Sequence, residues 1–458
     1  MKVIVCGAGQ VGFNIARYLA QEDNDVTVVD QSPELTRKIS DTLDVKAITG
    51  HASDPTVLAQ AGAGDADMIV AVTQVDEVNM VACQVAHSLF DVTTKIARIR
   101  RQGYLQPIWA NLFSRDHMPI DVVISPEIEV ARAVTRRLQV PGAFDMIPLV
   151  DDRVKMLGVR CGPDCPLLKT PLRQLTQLFP DLNIIIVGLV RDGKAWVPSG
   201  DDEMEAGDEA YFVVDSEKAE RAMTAFGHEE GEARRLVIFG GGNIGLFLAQ
   251  EIEEQHPSVN IKLIESDRTR AEFVAGELKR SVVLQGDVLD LEILDEANVS
   301  NAETTVAVTN DDETNILSSL LAKRHGSQRV ITLINSESYA PLINSLGIDV
   351  VVSPRMITVS TILQHVRRGR IHSVHSLGSG FGELIEAEAL QTSSLVGRPL
   401  RETKLPAGVL VGAVVREGDV IMPVGSTVIH ARDRVVLFAA AEAVREVEKM
   451  FSVSVEYF

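Results

Sequence analysis

One string of signals occurs twice in this chain and limits its fold more than any other feature. GAGQVG at residues 7–12 returns as GGGNIG at residues 240–245, and DVTVVD, closing on Asp30, returns as NIKLIE, closing on Glu265. MIVAVT, reaching Thr73, returns as TTVAVT, reaching Thr309, and Asn79 returns as Asn315. Order and spacing are kept, so the chain is one architecture built twice. Its 458 residues also exceed what a single core supports, roughly 250–300 residues.

Each half opens with short apolar runs alternating with helix-period segments, the pattern of a doubly wound parallel sheet. The chain is 45% hydrophobic but only 5% aromatic, which suits the small aliphatic residues of strands buried on both faces. Ser125-Pro126 and Ser353-Pro354 lead into helical segments. After Pro141-Gly142, and again near Gly369, the texture turns to short strands. Arg191-Asp192-Gly193 and Arg416-Glu417-Gly418-Asp419 sit between apolar runs as hairpin signals. The expected fold class is α/β, with two Rossmann-like doubly wound parallel-sheet domains, each followed by a small α+β C-terminal lobe. The expected boundaries are 1–125 for the first Rossmann domain, 126–141 for a connecting helix and 142–228 for the first lobe. The second set is 232–353, 354–369 and 370–458.

GxGxxG alone is a weak signal, but here it follows a strand, opens a helix and precedes an acid at the end of the next strand. Gly7 permits the tight turn, Gly9 lets a pyrophosphate approach the backbone, and Gly12 allows close helix packing. The helix N-terminus supplies unpaired N–H groups and the positive dipole end. Asp30 is placed to accept hydrogen bonds from a ribose and to repel a 2′-phosphate, which favours NAD over NADP. Gly240, Gly242, Gly245 and Glu265 repeat the set. Thr73 and Thr309 are expected to end the fourth strand of each sheet, at the lip of the cleft. Arg98 offers a cation to phosphate where the second copy has Leu333.

A formal net charge of −20 opposes nucleic acid and anionic lipid, both of which require a basic surface. No apolar run approaches the roughly 18 residues of a membrane span, so no direct membrane insertion is expected. The N-terminus enters a strand pattern without a basic leader, which points to the cytoplasm. The four cysteines, including Cys161 and Cys165, show no zinc-like or disulfide spacing. A dehydrogenase requires a proton donor and a substrate clamp beside the nicotinamide. The lobes carry no concentrated cluster of that kind, so the expectation is a binding protein with no catalytic or metal residues. A nucleotide-dependent oxidoreductase remains the alternative.

The opening thirty residues, the stretch DMIVAVTQVDEVNMVACQVA and the later KIARIR resemble the RCK (KTN) family of potassium-conductance regulators in its tandem form, over essentially the whole chain. The resemblance implies nucleotide contacts at Gly7, Gly9, Gln10, Val11, Asp30, Thr73, Gln74 and Arg98. In the second copy it implies Gly240, Gly242, Asn243, Ile244, Glu265, Thr309 and Asn310. The ligands it implies are NAD(H) and, in some members, ATP or ADP. It further implies a homo-tetramer forming a ring of eight domains, held peripherally on the cytoplasmic face by an integral membrane potassium translocation subunit of the Trk type. A regulator of another cation channel or antiporter would share the fold.

Overall fold

Val3, Ile4, Val5 and Cys6 are all buried, as expected of the central strand of a parallel sheet covered on both faces. The computed structural model describes residues 1–21, 24–179, 182–231, 233–339, 342, 346–366, 371–377 and 381–451. They fall into two compact units, Met1–Val130 with Ser353–Val366, and Ala131–Val352 with the described part of Arg367–Phe458.

The first unit is built on six parallel strands: β1 (Lys2–Cys6), β2 (Asp25–Asp30), β3 (Lys46–Thr49), β4 (Met68–Ala71), β5 (Thr94–Arg98) and β6 (Val122–Ile124). Their order, β3-β2-β1-β4-β5-β6, reverses direction between β1 and β4, and this is where doubly wound sheets open their ligand crevice. One core joins the sheet to Ile15, Ala16 and Leu19 of the helix Gln10–Gln21, and the other joins it to Met80, Cys83 and Ala86 of the helix Asp76–Phe90. The first core also contains Val359 and Ile362, from the helix Pro354–Val366. A helix from the second half of the chain therefore covers the first sheet.

In the second unit the lobe strands come first in the chain: β7 (Ala143–Leu149), β8 (Val154–Arg160), β9 (Ile184–Arg191), β10 (Lys194–Trp196) and β11 (Glu209–Asp215). The second parallel sheet follows, with β12 (Arg235–Phe239), β13 (Asn260–Glu265), β14 (Val282–Gln285), β15 (Thr304–Ala307), β16 (Arg329–Leu333) and β17 (Val350–Val352). Its order, β14-β13-β12-β15-β16-β17, repeats that of the first sheet. The second lobe contributes β18 (Ile371–Leu377), β19 (Gly382–Glu388), β20 (Val409–Arg416), β21 (Asp419–Ile421) and β22 (Arg434–Ala440). The chain enters this unit within the helix Pro126–Gln139, where Thr135 Oγ1 meets Glu251 at 3.4 Å on the helix Asn243–Gln255.

The lobe sheets, β10-β9-β11-β8-β7 and β18-β19-β22-β20-β21, are antiparallel and share one topology. Both hairpins form as the sequence indicates. Asp192 (φ 52°) with Gly193 (φ 76°), and Glu417 (φ 50°) with Gly418 (φ 98°), give each two-residue turn the two positive φ values of type I′.

The lobes are not separate bodies. Leu149, Met156 and Val213 of the first share a core with Leu384, Val436 and Phe438 of the second. Gly188 and Gly412, matching positions of the repeat, explain how closely the sheets approach. A Cβ on Gly188 would lie 2.8 Å from the Phe381 ring, and one on Gly412 would lie 2.9 Å from Val213 Cγ2. Each lobe's glycine receives the other lobe's side chain. Buried Glu386 fastens the contact, accepting from Val150 N–H at 3.0 Å and pairing with Arg434, whose other arm reaches Asp151 at 2.7 Å.

Among the described residues no helix is long and apolar enough to cross a membrane, and no three His, Cys, Asp or Glu side chains group as metal ligands.

Candidate functional site

The glycines of each loop divide three tasks. Gly7 (φ 114°) and Gly240 (φ 102°) adopt the left-handed backbone that turns the chain from strand to helix, a conformation other residues resist. A Cβ on Gly12 would stand 1.8 Å from the Gly7 carbonyl oxygen, and one on Gly245 would stand 2.0 Å from that of Gly240. These two glycines let the helix lie against the loop. A Cβ on Gly9 or Gly242 would meet nothing within 4 Å, so the backbone there is open to a ligand. The helices begin at Gln10 and Asn243, which are exposed, while Val11 and Ile244 are partly covered. First-turn N–H groups lack intrahelical acceptors, so each loop presents donors and a positive dipole end to an anion.

The acids do more than face the crevice. Asp30 Oδ2 accepts from Ala8 N–H at 2.7 Å and Oδ1 from Ser32 N–H at 2.8 Å, tying the loop to the turn after β2. Glu265 repeats this with Gly241 N–H at 2.7 Å and Asp267 N–H at 2.9 Å. A carboxylate offers about four lone-pair directions, so each acid keeps acceptor capacity for a ribose hydroxyl.

Strands β4 and β15 end at Ala71 and Ala307, two residues short of the threonines expected to close them. The cause is a buried asparagine. Asn79 Oδ1 accepts from Thr73 N–H (2.9 Å) and Oγ1 (2.7 Å), which turns Thr73 off the strand, while Nδ2 donates to the Arg98 carbonyl at 2.9 Å. Asn315 does the same with Thr309, at 2.8 and 2.7 Å, and with the Leu333 carbonyl at 3.0 Å. Thr73 and Thr309 still stand at the carboxyl ends of their sheets, followed by exposed Gln74 and Asn310.

Arg98 ends β5. Its Nε, Ser125 Oγ and Glu127 Oε2 are buried without hydrogen-bond partners. Burial lowers the pKa of Arg98 and raises that of Glu127, and each group's charge opposes the other's shift. Unsatisfied buried polar atoms at the mouth of the crevice suit a ligand that completes them. Leu333, the second copy's residue at the Arg98 position, is an apolar core residue with 2% of its surface exposed.

Sequence reasoning matched Asn79 with Asn315 but not their clamping role, and it passed over Glu127. It also passed over Asp76, which accepts from Arg100 and Arg101 N–H at 2.9 and 2.8 Å and fixes the turn after β5. A cavity of about 220 Å³ in the second unit, lined by Arg160, His228 and Arg329, lies at the amino ends of β15, β16 and β17. That is the wrong end of the sheet for the crevice ligand.

Fold and site together define a class, a duplicated Rossmann-type protein with a glycine loop opening onto a helix N-terminus in each copy. The chain belongs to the TrkA family: the TrkA-N domain matches residues 3–126 and 236–354, and the TrkA-C domain matches 156–227 and 384–452. It is 57% identical to Trk system potassium uptake protein TrkA of Azorhizobium caulinodans over 458 residues, covering 100% of both chains. It is 40% identical to the protein of that name from Halomonas elongata over 462 residues, again covering 100% of both. Among solved structures, the GsuK channel bound to NAD shares the fold at 18% identity and TM-score 0.59, covering 98% of this chain and 78% of that one.

Proposed function

We propose that this chain is the nucleotide-sensing regulatory subunit of a Trk-type potassium uptake system and not an enzyme. The observation that carries the reading is the open backbone at Gly9 and Gly242, each set between a left-handed glycine and a helix N-terminus and backed by Asp30 or Glu265. Gly7, Gly9, Gln10, Val11 and Gly12 would cradle the phosphates of NAD(H) or an adenine nucleotide. Asp30 would take the ribose, and Thr73, Gln74 and Arg98 the far side. Gly240, Gly242, Asn243, Ile244, Gly245, Glu265, Thr309 and Asn310 would do the same in the second copy. Family membership supports the potassium partner, an integral membrane translocation subunit of the Trk type. The domain boundaries given above, a homo-tetramer with eight domains and a peripheral place on the inner face of the membrane complete the reading.

A nucleotide biases such an assembly only by binding one of its shapes more tightly than the other. Potassium flux through the reconstituted complex, titrated with NAD, NADH, ATP and ADP, tests this. Flux is expected to differ between at least two of the nucleotides at saturation. Identical flux with all four and with none would overturn the regulatory reading.

A further inference from the structure

The two copies place their crevice arginine on opposite sides. In the second copy Arg270 lies across the glycine loop. Its Nε donates to the Gly241 carbonyl at 2.6 Å, its Nη2 to Asn243 Oδ1 at 3.2 Å, and its guanidinium carbon sits 4.9 Å from the centre of the Phe273 ring. The side chain thus holds the residues on either side of Gly242, the glycine with open space. Two of five guanidinium N–H groups are used, and three remain.

Helix capping fixes the equivalent position in the first copy. Asp267 Oδ1 accepts from Arg270 N–H at 2.7 Å as Ser32 Oγ accepts from Leu35 N–H at 3.4 Å. Where the second copy has Arg270 the first has Leu35, and where the first has Arg98 the second has Leu333. Arg98 ends β5, on the β4-to-β6 half of its sheet. Arg270 follows β13, on the half that carries Glu265, and in dinucleotide folds the acid's half seats the adenosine.

We infer that the second glycine loop is a site for adenine mononucleotides with a terminal phosphate, such as ADP, held by Arg270, and that the first loop takes the dinucleotide. This rests on the nucleotide reading proposed above. A terminal phosphate carries close to two charges at neutral pH, and a guanidinium fork matches its oxygens in charge and spacing. A mononucleotide ends at the loop and needs nothing from the distal half, where Leu333 is apolar. A dinucleotide continues into that half, where Arg98 stands.

The test is equilibrium binding of ADP and of NAD to the full chain and to its Arg270→Leu, Arg270→Lys and Arg98→Leu variants. Arg270→Leu copies the first loop's residue and is expected to weaken ADP by about tenfold or more while holding NAD within about twofold, the scale of one charge-assisted contact. Arg270→Lys is expected to fall between, because it keeps the charge and loses the fork. Arg98→Leu should weaken NAD and spare ADP. If Arg270→Leu leaves ADP unchanged, or weakens NAD instead, the inference is wrong and the nucleotide reading stands. Wild-type chain that binds neither ligand overturns both.

Discussion

The two Rossmann-type copies share their main-chain geometry and differ in the side chains around it. Gly7 and Gly240 turn left-handed, and Gly12 and Gly245 clear the path of a carbonyl. Asn79 and Asn315 clamp the same pair of strand ends. Around this shared backbone the acid changes length, from Asp30 to Glu265, and the loop residue that donates to it changes from Ala8 to Gly241. The exchanges are coupled, since a Cβ on Gly241 would lie 3.2 Å from both Cβ and Oε2 of Glu265. The longer acid occupies space that the first copy gives to a methyl group. Loop geometry is thus kept while the side chains that would meet a ligand vary.

Substitutions at the loops separate what the two copies share from what they do not. The largest effect is expected from Gly12→Ala and Gly245→Ala, each of which forces a Cβ onto a backbone carbonyl. Each should cost about 3 kcal/mol, at the upper end of overpacking penalties, and the two should be alike. Differential scanning calorimetry checks this, and an unshifted transition in either variant would break the equivalence of the loops. A smaller effect, about 1 kcal/mol, is expected for Gly241→Ala. Combined with Glu265→Asp, the part set by Oε2 should be recovered, while the contacts with the Cβ of residue 265 and with Leu263 Cδ2 remain; a double-mutant cycle with no measurable coupling would show that the exchanges are independent.

A further effect, confined to acid pH, lies in the lobes. His375, fifth residue of β18, takes the place that Ile147 holds in β7. Burial, with the nearby Arg136 charge adding to it, pushes the His375 pKa down to about 4. The unfolded chain takes up this proton first, so the histidine's contribution to stability is complete above about pH 6.5 and is lost as pH falls toward about 4. Melting temperature followed across that window should fall less steeply in His375→Ile than in wild type. Parallel slopes would exclude His375 as the source.

What the sequence revealed follows the range of the forces involved. The glycine loops, the acids and both hairpins were legible because each is decided within a few residues: a turn that needs φ above zero, a helix that must approach its own strand, an Asp-Gly or Glu-Gly pair between apolar runs. Gly188 and Gly412 hold matching positions in the repeat, but the reason for glycine there was not legible, because each answers to a side chain of the other lobe. The burial of Val359 and Ile362 against the first sheet was likewise hidden, since an apolar helix face does not record which sheet it covers. The clamp made by Asn79, and the parts played by Glu127 and Arg270, were hidden for a related reason. A polar residue on a helix reads as solvated until its partners are known.

Whether each glycine loop seats one nucleotide is decided where the structure leaves room. A Cβ on Gly9 or Gly242 would meet nothing within 4 Å, so Gly9→Val and Gly242→Val are expected to fold near the wild-type melting temperature while filling the phosphate seat. Calorimetric titration with NAD and ADP is predicted to show two binding events per wild-type chain and one in each variant. Two undiminished events in either variant would exclude a nucleotide seat at that loop.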